Sequence, residues 1–202
     1  MQFISQPMGA SYQTNCYIVT EGGKDLIIDP GMGATEWVLA HVNDPVAILN
    51  THGHFDHVWS NAELKTTLNI PLYCPQEDAF MLENDPFSQG TPSSHPDHKV
   101  KGDEALTIEG IPVRYRHFPG HTPGNSIIEI GGHWFSGDFL FLQSIGRWDF
   151  PYSSGTDMVR SLQKAQQITT DYPVHPGHGP STTLSAEQKH MGYWIETVKN
   201  SI

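Results

Sequence analysis

Alternating polar and apolar positions in Gln2-Phe3-Ile4-Ser5 predict a strand, and the same pattern recurs at 15–20 and 26–29. Glu21-Gly22-Gly23-Lys24 predicts a hairpin between the last two. From Ala34 to His41 the spacing turns helical, with Trp37 and Val38 on the apolar side, and the unbroken run Val46-Ala47-Ile48-Leu49 reads as a strand buried on both faces. The chain therefore passes from an antiparallel start to β-α-β order. A helix is expected over 57–68 from Val58, Ala62, Leu64 and Leu68, then a strand at 71–74 and a short helix opened by Pro75 and ending near Leu82.

The stretch 83–99, with Pro86, Gly90, Pro92 and Pro96, has no apolar period and is expected to be a long lid or substrate loop. Strands follow at 106–108, 113–118, 126–130 and 133–136, then a helix over 158–168, a short strand at 173–175 and a closing helix over 185–198. Two β-rich halves, each followed by helices, predict an α/β fold in which sheet packs on sheet and helices cover the outside, as a single domain over 1–202.

Composition narrows the function classes. Apolar residues make up 37% of the 202, or roughly 43% with Gly counted and Tyr left out, which is near the globular norm. No apolar run approaches the ~18 residues of a membrane helix. Eleven Lys plus Arg against 22 Asp plus Glu give a net charge of −11 and no basic stripe, which disfavours a nuclease or any nucleic-acid partner. Met1 to Ser5 has neither the basic nor the apolar region of a signal peptide, so the cytosol is the expected compartment, and Cys16 and Cys74 are expected as reduced, buried thiols. The sequence sets no oligomeric state. Histidine is in excess, at 12 residues.

Directly after the buried strand stands Thr51-His52-Gly53-His54-Phe55-Asp56-His57. In extended chain, residues two apart project to one side, so His52 and His54 can face one ion; a helix starting near Asp56 turns Asp56 and His57 towards a neighbouring position. Imidazole and carboxylate suit a borderline divalent ion such as Zn²⁺. Composition alone would produce this pattern with a frequency of roughly 0.0025 per chain, so chance is a poor account of it. Further ligand candidates lie in turns that follow strands: His121 in Pro119-Gly120-His121-Thr122-Pro123-Gly124, Asp138 closing the apolar run from Trp134, and His178 in Pro176-Gly177-His178-Gly179. His41, His95, His98, His117, His133, His175 and His190 lie outside these motifs and are expected to be solvated or core residues.

In this order the motifs resemble the metallo-β-lactamase-fold hydrolases, and among them the short, single-domain glyoxalase II-like enzymes. The resemblance spans Asn15 to His178. It implies a four-layer αββα sandwich of two mixed sheets flanked by helices, and two divalent ions per chain, Zn²⁺ foremost with Fe²⁺ or Mn²⁺ compatible. It implies that His52, His54 and His121 hold one ion, that Asp56, His57 and His178 hold the other, and that Asp138 bridges them. Asp29, in Ile28-Asp29-Pro30-Gly31, matches the family aspartate that orients a ligand imidazole; a cap on the turn before Pro30 is the other reading.

The implied chemistry is hydrolysis of a small-molecule thioester of the S-lactoylglutathione kind by a bridging hydroxide, with Asp56 also accepting the nucleophile's proton. Gly146-Arg147-Trp148-Asp149-Phe150-Pro151 resembles a family segment with a small hydroxyl residue where this chain has Trp148. Arg147 is there either to bind a substrate carboxylate or to pair with Asp149. Gly179-Pro180 replaces the acidic residue and tyrosine of the long, glutathione-specific enzymes, and 24 residues follow His178. The competing expectation is a persulfide dioxygenase-like oxidoreductase using one Fe(II) on two histidines and an aspartate. A β-lactamase and a non-catalytic metal-binding module rank behind it.

Overall fold

The computed structural model describes residues 1–202. One mixed sheet carries β1 (Gln2–Met8), β2 (Thr14–Glu21), β3 (Lys24–Ile28), β4 (Pro45–Leu49), β5 (Leu72–Pro75) and β6 (His98–Val100) in that spatial order. β1 to β3 are antiparallel, whereas β4, β5 and β6 join in parallel. The second sheet has the order β14-β13-β10-β9-β8-β7, built from β7 (Glu104–Ile108), β8 (Ile111–His117), β9 (Ser126–Ile130), β10 (His133–Gly137), β13 (Pro173–Pro176) and β14 (Thr182–Thr183). Its one parallel pair is β10 with β13. A small hairpin of β11 (Leu140–Phe141) and β12 (Ser144–Ile145) stands beside it.

Strand periodicity divides the apolar side chains into three layers. Leu26, Ile28, Ala47 and Leu49 meet Ile128, Ile130 and Phe135 between the sheets. The intervening Ile27 and Ile48 face outward to α1 (Ala34–His41), α3 (Asn61–Leu68) and α4 (Ala79–Asn84), and Ile127 and Trp134 face α5 (Gly155–Gln166) and α6 (Leu184–Lys199). Every second residue of a central strand thus enters a different core, which is why these strands are apolar at successive positions. The result is the expected sandwich of two mixed sheets between helices. Both cysteines are free and buried, and no helix is long and apolar enough to cross a membrane.

The expected helix over 57–68 is two helices, α2 (Phe55–Val58) and α3. The break falls at Ser60, whose N–H donates to Pro30 O at 3.0 Å and whose hydroxyl donates to Gly31 O at 2.7 Å. A tertiary bond thus replaces a rung of the helical ladder. The long loop ends in β6, and the helix expected from 158 starts at Gly155 with Ser154 as its cap.

Candidate metal centre

The ligand candidates converge on one edge of the sandwich, where parallel strands of both sheets end. His52 and His54 follow β4, Asp56 and His57 lie on α2, His121 lies between β8 and β9, Asp138 follows β10, and His178 follows β13. The ligand atoms of His52, His54 and His121 lie within 4.8 Å of one another, and so do those of Asp56, His57 and His178. Asp138 stands between the groups: Oδ1 is 3.4 Å from His57 Nε2, while Oδ2 is 3.4 Å from His121 Nε2 and 3.3 Å from His178 Nε2.

The turns must come very close to allow this. Gly137 has φ +50, a conformation that favours glycine, and a Cβ there would strike the Thr51 side chain. A Cβ on Gly177 would overlap Asp138 Oδ1 and lie 2.7 Å from His57 Cε1. From the other sheet, β2 pins the His178 turn: Asn15 Nδ2 donates to Pro176 O and Gly179 O at 3.0 and 2.9 Å, and Tyr17 Oη donates to Pro176 O at 2.7 Å.

Four of the imidazoles have Nδ1 engaged by a polar group. His57 Nδ1 meets Asp29 Oδ2 at 3.0 Å, His52 Nδ1 meets Thr51 Oγ1 at 3.0 Å, His121 Nδ1 meets Arg147 O at 2.8 Å, and His178 Nδ1 meets Tyr12 O at 2.9 Å. Asp29 also accepts from Thr51 N and Oγ1 at 2.8 and 2.6 Å, so it orients His57 directly and His52 through Thr51, at a left-handed φ of 48. The opposite edges of these rings face the cluster. His52 Nε2, His57 Nε2, His121 Nε2 and Asp138 Oδ1 are buried without any hydrogen-bond partner. Each such atom costs about 1–3 kcal/mol unless something fills the gap, and three nitrogen lone pairs beside carboxylate oxygen match the donor set of a borderline divalent ion. The residues fit a metal pair.

Electrostatics separates the two groups. Burial pushes the imidazoles of His52, His54 and His121 below their ordinary range, His54 to about 3, which keeps them neutral and able to ligate. Burial acts the same way on His57 and His178, but the charges of Asp56 and Asp138 outweigh it and draw both upward, His178 to about 10. The field at that second position favours positive charge.

One residue that the motifs did not reveal ties the site together. Asp78, fully buried, accepts from Gly53 N at 2.9 Å, Thr122 Oγ1 at 2.6 Å and Gly124 N at 2.6 Å, and so holds the turn of His52 and His54 to the turn of His121. Burial raises its pKa to about 6 against the pull of those donors. In the sequence it is one acid of Gln76-Glu77-Asp78, indistinguishable from a solvated helix start. The Arg147 guanidinium forms a two-bond pair with Asp149, both bonds 2.8 Å, on the exposed surface, and only its backbone carbonyl reaches the site. A cavity of about 380 Å³ opens onto the cluster, lined by His54, Asp56, His121, Asp138 and His178 together with aromatic side chains and, from the loop before β6, Phe87 and Gln89.

A family model described as the metallo-β-lactamase superfamily matches residues 10–179. The chain belongs to that superfamily. It is 32% identical over 195 residues to the hydroxyacylglutathione hydrolase GloC of Haemophilus influenzae, covering 89% of this chain and 92% of that one. Among solved structures, the BLEG-1 B3 metallo-β-lactamase superposes with a TM-score of 0.85 at 32% identity, over 95% of this chain and 99% of the other. TTHA1623, solved in a di-iron-bound form, gives 0.77 at 32% identity over 91% and 96%. All three likenesses extend over nearly the whole superfamily domain.

Proposed function

We propose that this superfamily member is a dinuclear metal-dependent hydrolase that cleaves acyl thioesters in the manner of glyoxalase II. The observation that carries the reading is the pair of ligand groups sharing Asp138, with unpaired buried nitrogen in both: His52 and His121 in one, His57 in the other. GloC, similar along nine-tenths of its length, is named for thioester chemistry of this kind. Zn²⁺ suits the donors, and the di-iron form of TTHA1623 makes Fe²⁺ the alternative ion.

Two divalent ions on these residues would supply an ionised water at neutral pH and a Lewis acid for the substrate carbonyl. The protein's own contribution is placement and proton handling. Thr14 Oγ1 donates to Asp56 Oδ2 at 2.7 Å and fixes that carboxylate against the cavity, where it takes the proton that water gives up on ionising, before the oxygen bonds to the acyl carbon. The acyl–sulfur bond breaks, and the products are a carboxylate, a thiol and one proton. Asp29 and Asp78 hold the imidazoles in place throughout.

A one-iron persulfide dioxygenase would need only one of these groups, and a β-lactam is the competing acyl substrate. The test is metal analysis of protein purified without chelators, together with turnover of a thioester panel, a β-lactam, and a persulfide with oxygen uptake recorded. About two ions per chain and thioester cleavage are expected. One iron with oxygen consumption, or lactam cleavage that outpaces every thioester, overturns the reading.

A further inference from the structure

The walls of the cavity away from the ligands are aromatic. Tyr12 and Phe55 form one side, their rings 5.1 Å apart, while Phe87 and Phe150 form another, with centroids 5.2 and 6.1 Å from His54. Pro151 completes the lining, and Tyr152 packs on Phe87 at 5.9 Å just outside it. Tyr12, Phe150 and Tyr152 remain 40%, 39% and 51% exposed although each is a large apolar side chain. Exposed aromatic surface gathered round a concave site is surface held ready for an apolar ligand.

None of the 11 Lys and Arg lines this cavity. The one guanidinium nearby, that of Arg147, lies 4.3 Å from the Phe150 ring centroid and donates through Nε and Nη2 to Asp149, so its charge is already paired. Recognition of a substrate carboxylate calls for a fixed cation with free donors, and glutathione brings two carboxylates against one ammonium. Away from the candidate ligands, the wall offers such a tail Gln89, Pro151 and aromatic side chains.

We infer that the site is built for thioesters whose arms beside the reacting carbonyl are uncharged and apolar, aromatic groups above all, rather than for glutathione conjugates. The inference rests on the hydrolase reading only for the reaction; the shape and charge of the pocket stand apart from it. Calorimetry on the metal-loaded chain tests it with two hydrolysis-resistant thioethers, S-benzyl-N-acetylcysteamine and S-methylglutathione. The neutral benzyl compound is expected to bind roughly tenfold tighter or better. Phe87→Ala and Phe150→Ala, checked for unchanged metal content, weaken that compound alone, and Gln89→Arg, which places a cation on the wall, tightens S-methylglutathione alone. Equal or tighter binding of S-methylglutathione by the parent chain, or binding of neither, overturns the inference. If the binding preference holds while no thioester is cleaved, the hydrolase reading fails and the pocket assignment stands.

Discussion

Two groups of histidines, which adjoin in sequence at positions 175 and 178, have opposite chemistry. His175, on β13, presents Nε2 to His133 Nδ1 at 2.9 Å and Nδ1 to Ser181 Oγ at 2.8 Å, with the two rings stacked at 13°. Three residues on, His178 belongs to a cluster in which His52, His57 and His121 each keep an unpaired buried Nε2. Burial and clustering are common to both. The first group satisfies itself, whereas the second points its unsatisfied atoms at shared points in space, and that difference marks where a cation belongs.

The sharpest way to break the contrast is Asp138→Ala, which removes the carboxylate common to both ligand groups. It is expected to release metal and to lower turnover by roughly 10³-fold or more, read by metal analysis and kinetics on the same sample; a variant with full metal content refutes the bridging role. Asp78→Asn comes next. An amide cannot accept from three donors on its two ends, so a loss of about 2–4 kcal/mol in urea unfolding is expected. Because Asp78 joins only the turns of His52, His54 and His121, that ion should leave first while the other is retained, an outcome that a purely structural role would not produce. Asp29→Asn weakens the orientation of His57 and should reduce metal affinity by about 10–100-fold in chelator competition, with the fold intact by circular dichroism.

The smallest effect is expected at the self-satisfied pair. Burial first, and the neighbouring His133 second, hold His175 down at about 4, against an ordinary 6.5. Between these values the unfolded chain binds more protons than the folded one, so this residue makes stability fall as pH drops from about 6.5 to 4 and has no effect on the slope above that window. In His175→Phe that slope should be lost from the difference between unfolding curves at pH 5 and 7, with metal content and turnover unchanged. Loss of a metal equivalent from this variant would erase the distinction between the two groups.

Much of the candidate ligand cluster was legible because it is local or punctuated. His52, His54, Asp56 and His57 fall within six residues, and His121 and His178 sit in Gly-Pro turns whose rigidity shows in composition. The alternation of strands likewise revealed which halves build sheets. The break at Ser60 was hidden, since nothing in the pattern around Val58 and Ala62 announces that Pro30 and Gly31 will take that residue's hydrogen bonds. The role of Asp78 was hidden for the same reason: its three donors are 25, 44 and 46 residues away.

By itself, then, the sequence determined the kinds of atom available to a cation, the order in which they occur and the faces the strands bury, because residue type and short-range periodicity are properties of neighbouring positions. Only the tertiary structure decided which nitrogen of each ring is left without a partner, that Asp138 faces both groups, that Arg147 is bound to Asp149 and that the cavity wall away from the candidate ligands is aromatic and holds no Lys or Arg. Those facts depend on distances between segments far apart along the chain, and only the packing of two sheets face to face fixes such distances.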